Sequence, residues 1–314
     1  MSPKYTLTTT DNLLLCNTCG AQYDVDESVG KSECRICEDP RQFIPPTGQS
    51  FTTLGRLKSE GKYENVFERN EKDSKVIEIH TEPKFAIGQR ACLIQTPHGN
   101  VLWDLVALLD QRTVDKITEL GGLEFIVISH PHFYTTWADW STTFKCPVYM
   151  TEVDSVWANR KDVSTANLKL LKDPYTELLP GITAAICGGH FPGSMVLHSA
   201  VPNTDVPTLF VADTIFAVAS GHNPDPGKRQ DTVSYQFLWS IPNYIPLPPD
   251  TVLQIWQRLK RFDFKATYGV FAQITNVFEK PGQTLSLKGR VLQSAKITVK
   301  AMGYSDHSIF AEEL

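Results

Sequence analysis

From Val76 onward, short apolar runs alternate with stretches in which apolar residues recur at helical spacing. Three of the runs are rich in β-branched residues, are bounded by Gly, Pro or Asp, and predict buried strands: Phe125–Ile128, Ile182–Cys187 and Thr208–Ala212. Helical spacing predicts helices over Thr113–Leu120, from Pro249 onward, and over Leu285–Met302. Alternating strands and helices predict the α/β class.

Polar side chains with metal-binding chemistry follow each of the three predicted strands. Pro131 ends the first strand and lies between His130 and His132, while His190 and Asp213 follow the other two. Two imidazoles one residue apart at a strand end are well placed to converge on one metal ion, because neutral histidine binds zinc, iron and copper.

This order of motifs resembles that of the metallo-β-lactamase-fold proteins. Ser129-His130-Pro131-His132 is similar to the start of the family's His-x-His-x-Asp-His motif. Gly188-Gly189-His190 is similar to its third histidine, and Asp213 to its metal-bridging aspartate. The resemblance spans roughly Ile77 to Val270 and implies an αββα sandwich built from two halves.

The sequence departs from the family's motifs at the second metal position. Tyr134-Thr135 stands where the family has Asp-His, and the segment 265–271 lacks the family's last histidine. The ligands of a first metal are present: His130, His132, His190 and Asp213. We therefore expect one active-site ion, zinc or iron, rather than two.

Four of the seven cysteines form two Cys-x-x-Cys pairs separated by a short insert: Cys16, Cys19, Cys34 and Cys37. This spacing is typical of a tetrahedral Cys₄ zinc ribbon. Disulfides are the alternative for a secreted chain, and iron of the rubredoxin type suits the same four ligands. We expect structural zinc, whose binding supplies folding energy to a segment with little apolar surface.

The cysteine spacing also predicts the domain organisation. Residues 1–50 are expected to form the Cys₄ zinc-ribbon-like module with a Pro-rich connector, and residues 51–314 the metallo-β-lactamase-like domain. Three prolines in the connector Asp39–Ser50 predict an extended segment. Two roles are open for the module: a structural clip on the main domain, or one wall of the active-site mouth.

Composition narrows the classes of partner. The chain has 314 residues, 41% hydrophobic and 21% charged, with a net charge of −5. No basic stripe suggests nucleic-acid binding, and no apolar run approaches a membrane span. The polar start lacks the apolar region of a signal peptide, so we expect a cytoplasmic protein with a small-molecule substrate and infer no oligomeric state.

The predicted metal site favours hydrolysis of an ester, lactone or amide by a metal-activated water. Asp213 would ligate the metal or accept a hydrogen bond from the water. Tyr134 replaces the family's general base, and a phenol that ionises near about 10 suits a proton donor or oxyanion partner instead. His222, in a loop, is a further candidate to touch substrate or metal.

Two other functions fit the same residues. His130, His190 and Asp213 form the two-histidine, one-carboxylate set of non-haem iron oxygenases, and some members of the fold are similar iron enzymes. A non-catalytic, metal-stabilised ligand-binding protein is the third reading, because part of the family's ligand set is missing.

Overall fold

The computed structural model describes residues 4–160, 163–201, 206–223, 232–272 and 274–314. The chain forms two compact units, Met1–Lys172 (unit 1) and Asp173–Leu314 (unit 2).

Unit 1 contains ten strands and three α-helices within its described residues. The strands are β1 (Leu13–Cys16), β2 (Gln22–Asp26), β3 (Phe51–Thr53), β4 (Glu64–Arg69), β5 (Val76–Glu82), β6 (Arg90–Thr96), β7 (Gly99–Trp103), β8 (Phe125–Val127), β9 (Pro147–Thr151) and β10 (Asn167–Leu171). The helices are α1 (Leu54–Ser59), α2 (Gln111–Glu119) and α3 (Trp137–Phe144).

Two sheets organise unit 1. A three-stranded sheet in the order β2-β1-β3 carries the first cysteine pair, and a seven-stranded sheet has the order β10-β9-β8-β7-β6-β5-β4. In the larger sheet β7, β8, β9 and β10 run parallel, whereas β4 to β7 form an antiparallel meander. Because parallel strands end at the same edge of a sheet, the residues after β7 and β8 lie side by side.

Local chemistry explains two differences from the predicted elements of unit 1. Helix α2 begins earlier than predicted, because the Asp110 side chain caps it by accepting from the Thr113 N–H at 2.8 Å. The connector begins with a turn rather than an extended stretch. There Gln42 N–H donates to the Asp39 carbonyl at 2.9 Å, and Arg41 pairs with the Asp39 carboxylate at 2.6 Å.

Unit 2 contains ten strands and two α-helices within its described residues. The strands are β11 (Tyr175–Leu179), β12 (Ile182–Ile186), β13 (Met195–Ser199), β14 (Thr208–Phe210), β15 (Phe216–Ala217), β16 (Tyr235–Gln236), β17 (Leu238–Ser240), β18 (Ile245–Pro246), β19 (Ala266–Tyr268) and β20 (Asn276–Phe278). The helices are α4 (Pro249–Leu259) and α5 (Leu287–Ala301).

One six-stranded sheet, in the order β11-β12-β13-β14-β19-β20, forms the centre of unit 2. Strands β14 and β19 are its parallel pair. Side chains of the sheet, such as Val196 and Leu209, share one buried cluster with Trp256 of α4 and Val291 of α5. The two helices therefore cover one face of this sheet, which is the arrangement that buries an apolar helix stripe.

The α/β class and the N-terminal Cys₄ module are confirmed. Each unit contains one large sheet with helices, as expected of one half of an αββα sandwich. The module's sheet includes β3, which begins just after residue 50, and the division into a 1–50 module and a 51–314 domain stays a prediction. None of the helices in the described residues is long and apolar enough to cross a bilayer.

Candidate metal centres

The four cysteines of unit 1 form one buried cluster. Their sulfur atoms all lie within 4.8 Å of one another, with Cys16 and Cys37 at 3.7 Å and Cys19 and Cys34 at 3.6 Å. A disulfide needs about 2.05 Å, so these are not bonded pairs. Tetrahedral zinc with bonds of about 2.3 Å places its sulfurs just under 4 Å apart. The cluster therefore fits one metal ion, and the disulfide alternative is wrong.

The surroundings of the cluster hold its sulfur atoms in place. Gly20 N–H donates to the Cys16 carbonyl at 2.9 Å, with Gly20 at φ +77, and the Tyr23 hydroxyl donates to Cys34 Sγ at 3.1 Å. Hydrogen bonding to the other thiols, Cys16 foremost, lowers the pKa of Cys34 far below its usual value and raises that of Cys37. A divalent cation would balance the thiolate charge that this ionisation creates.

His130 and His132 lie together in unit 1, after β8. His130 has an extended backbone, and His132 lies in the 3₁₀ turn Pro131–Phe133. Their ring centroids are 5.0 Å apart at 73°, and both side chains are buried. Strand β8 ends at Val127, before Pro131, so the prediction that Pro131 ends it is wrong; Pro131 instead begins the turn that follows His130.

A chain of hydrogen bonds orients His130. Ser129 N–H donates to Asp104 Oδ1 at 2.7 Å, and the Ser129 hydroxyl lies 2.9 Å from His130 Nδ1. Whichever partner donates, this bond engages Nδ1 and makes Nε2 the nitrogen that would ligate a metal. Sequence reasoning missed this role of Asp104 and Ser129, because the parallel pairing of β7 with β8 that brings them together is seen only in the structure.

Tyr134 follows the histidine pair and is 4% exposed. Burial, followed by the charge of Asp154, raises the pKa of its phenol well above 10. Among the described residues, its hydroxyl has no hydrogen-bond partner. The phenol therefore stays protonated at neutral pH and can donate a proton but not act as a base.

The next residue, Thr135, has φ +35. Left-handed backbone is unusual for a β-branched residue, and such strain persists where surrounding contacts enforce it, often at functional sites. In unit 2, Ala212 has φ +43 directly before Asp213. Strained residues thus adjoin predicted site residues in both units.

In unit 2, a tight loop presents His190. Gly188 and Gly189 have φ +75 and +94, and a Cβ on either would lie 2.9 Å from a side chain of α4. Ser194 closes the loop by accepting from Cys187 and Gly188 N–H groups. The two glycines are therefore required for this close approach to the helix.

His190 and Asp213 lie together in unit 2. His190 Nδ1 donates to the Trp239 carbonyl at 2.8 Å, which directs Nε2 to the ligand role. Nε2 lies 3.8 Å from Asp213 Oδ2, and both side chains are buried. His222 ends the 3₁₀ turn Ala219–His222 and is half-buried. Its contact with substrate or metal stays a prediction.

A sequence comparison places the chain in a family. No family model matches it. It is 38% identical over 260 residues to YmaE, a Bacillus subtilis (strain 168) protein described as uncharacterized, and the match covers 83% of this chain and 89% of the relative. The chain belongs to the YmaE family.

Solved structures similar to this YmaE family member include two metallo-β-lactamases. One is DIM-1 exposed to ceftazidime, 12% identical, with a TM-score of 0.49, covering 76% of this chain and 98% of its own. The other is a B3 enzyme with an active-site glutamic acid, 14% identical, with a TM-score of 0.44, covering 86% and 99%. Their TM-scores lie below 0.5, and neither likeness bears on substrate.

Proposed function

We propose that the protein is a metal-dependent hydrolase with one ion held by His130, His132, His190 and Asp213. All four side chains are buried, and each offers one ligand atom. The observation that supports this most is the matching orientation of two histidines, one in each unit. A hydrogen bond engages Nδ1 of His130 and of His190, which reserves Nε2 for a metal.

The donor set suits zinc or iron, since imidazole nitrogens and one carboxylate are borderline ligands. A zinc ion there supplies a water with a pKa near about 7 and polarises a carbonyl. Ester, lactone and amide bonds of a small molecule are the substrate class we propose. The Cys₄ cluster would hold a structural zinc, and the chain would work in the cytoplasm.

Four further roles in hydrolysis are proposed for residues of this chain. Asp213 orients the attacking water or completes the ligand set. Tyr134, kept protonated by burial, donates a hydrogen bond to the developing oxyanion or a proton to the leaving group. Asp104 and Ser129 hold His130 in its ligating orientation. We propose that His222 contacts the substrate or the metal.

Hydrolysis of a p-nitrophenyl ester and of a simple lactone tests the proposal, before chelation, after chelation, and with zinc restored. Activity should be lost with the chelator and return with zinc. His190→Ala should lower kcat/KM by at least about 100-fold. The matched control is His198→Ala, because His198 lies in β13 of the same unit and contacts the Asp263 carbonyl instead. Activity that survives both chelation and His190→Ala would overturn the proposal.

A further inference from the structure

The Cys₄ module packs against the segment that follows His132, within unit 1. Gly20 lies so close to this segment that a Cβ on it would be 3.1 Å from Ala107 Cβ and 3.6 Å from Thr135 Cγ2. Two residues later, Gln22 N–H donates to the Thr135 carbonyl at 3.2 Å. The segment from Gly20 to Gln22, which follows the first cysteine pair, therefore contacts Thr135 directly.

A buried polar network holds the same strand of the module beside helix α3. Arg160 donates to Gln22 Oε1 at 2.6 Å, and Gln22 Nε2 donates to Asp139 Oδ2 at 3.2 Å. Thr10 joins the network by donating to Asp139 Oδ1 at 2.7 Å. Gln22, Asp139 and Arg160 are all buried, and buried polar groups joined in this way fix a single arrangement.

Arginines beside the second cysteine pair contact another part of unit 1. The Arg35 and Arg41 guanidinium groups lie 4.9 and 5.4 Å from the Trp157 ring. Both knuckles are thus connected to the unit that carries His130 and His132.

We propose that the Cys₄ module is a positioning element of the predicted active centre. Its knuckle from Cys16 to Gln22 holds Thr135 in its left-handed backbone and so orients Tyr134. The importance of Tyr134 for turnover rests on the proposed function, whereas the coupling between the module and Thr135 does not. If the module enforces strain at Thr135, relieving that strain must strengthen metal binding by the module, because coupling between two sites is reciprocal.

Titration of the full chain with Co²⁺ tests this coupling, since thiolate-to-cobalt absorption reports the Cys₄ site alone. Thr135→Gly should raise the affinity of that site about 5-fold or more. The matched control is Lys145→Gly, because Lys145 also has positive φ, 53°, and is exposed at the end of α3. Both variants add a flexible glycine, so only the release of module-imposed strain distinguishes them. Lys145→Gly should bind Co²⁺ within about 2-fold of wild type.

Hydrogen exchange measured by mass spectrometry gives a readout that depends neither on cobalt absorption nor on hydrolysis. Removing the Cys₄ metal should speed exchange of residues 130–137 more than of strand β5, and Gln22→Ala should do the same with metal bound. In the hydrolysis assay, Thr135→Gly should lower kcat with little change in KM. Equal Co²⁺ affinities for Thr135→Gly and Lys145→Gly, with unchanged exchange at 130–137, would overturn the inference. Coupling between the Cys₄ site and Thr135 in a protein without hydrolase activity would support the inference and contradict the proposed function.

Discussion

The two predicted metal sites differ in how the chain supplies their ligands. The Cys₄ cluster draws all four ligands from residues 16–37 of unit 1, on two short knuckles. The second, proposed set would draw its ligands from residues far apart in the sequence, His130, His132, His190 and Asp213. A local cluster can fold together with its metal, whereas the second set depends on sheets that are formed by other contacts. Loss of metal should therefore affect stability at the first site and activity at the second.

The largest expected effect is the loss of a cysteine ligand. Cys37→Ser should remove the Cys₄ metal and lower the melting temperature, because structural zinc contributes about 10 kcal/mol or more to small metal-dependent folds. The control is Cys146→Ala, a buried cysteine outside the cluster, which should keep its metals. Metal analysis with thermal unfolding checks both variants. A Cys37→Ser protein that keeps full metal content would contradict the structural site.

The next effect concerns the orientation of His130. Ser129→Ala should weaken zinc binding at the predicted active centre about 10- to 100-fold, since it frees Nδ1 from its partner. Ser141→Ala is the matched control, as the Ser141 hydroxyl is buried in the same unit and donates to the Cys146 carbonyl. Competition with a chelator measures both affinities. Equal affinities for the two variants would show that Ser129 does not tune the ligand.

A smaller, pH-dependent effect should come from Tyr134. Burial raises the pKa of Tyr134 in the folded protein, so the unfolded chain ionises first as pH rises above about 10. The stability that this difference contributes is therefore complete below about pH 10 and is lost above it. Tyr134→Phe removes this loss. Denaturant unfolding from pH 8 to 11 should show stability falling more steeply in wild type than in Tyr134→Phe. Parallel pH profiles would contradict the burial of the phenol.

The smallest effect is expected at His198. Burial lowers the pKa of its imidazole, and the neutral ring donates to the Asp263 carbonyl at 2.8 Å. A depressed histidine pKa gives stability that is present above about pH 6.5 and is lost as pH falls below it. His198→Gln should show a shallower loss of stability between pH 7 and 5 in denaturant unfolding. An identical loss of stability with falling pH in wild type and His198→Gln would contradict this prediction.

Local patterns made much of this architecture predictable. The spacing of Cys16, Cys19, Cys34 and Cys37 predicted a cluster that the fold forms, because each knuckle is one tight turn. Apolar runs predicted β8, β12 and β14, each followed by a candidate ligand. These features depend on neighbours in sequence, which a pattern records directly.

Features that depend on neighbours in space were not predicted. Asp104 accepts a hydrogen bond from Ser129 because β7 and β8 pair in parallel. The sequence of either strand does not reveal which strand it pairs with. Thr135, which has a left-handed backbone, lies against Gly20 and accepts a hydrogen bond from Gln22, more than a hundred residues earlier. The predicted extended connector begins with a turn at Asp39, whose carboxylate pairs with Arg41.

Metal content per chain, by elemental analysis, tests the central claim most directly. Wild type should hold two ions, and His130→Ala/His132→Ala should hold one, the Cys₄ ion. His80→Ala/His98→Ala removes two histidines of the same unit outside the predicted site and should keep two ions. Loss of zinc from the ligand variant would favour the hydrolase, and loss of iron the oxygenase. One ion in both wild type and the ligand variant would contradict the predicted active centre.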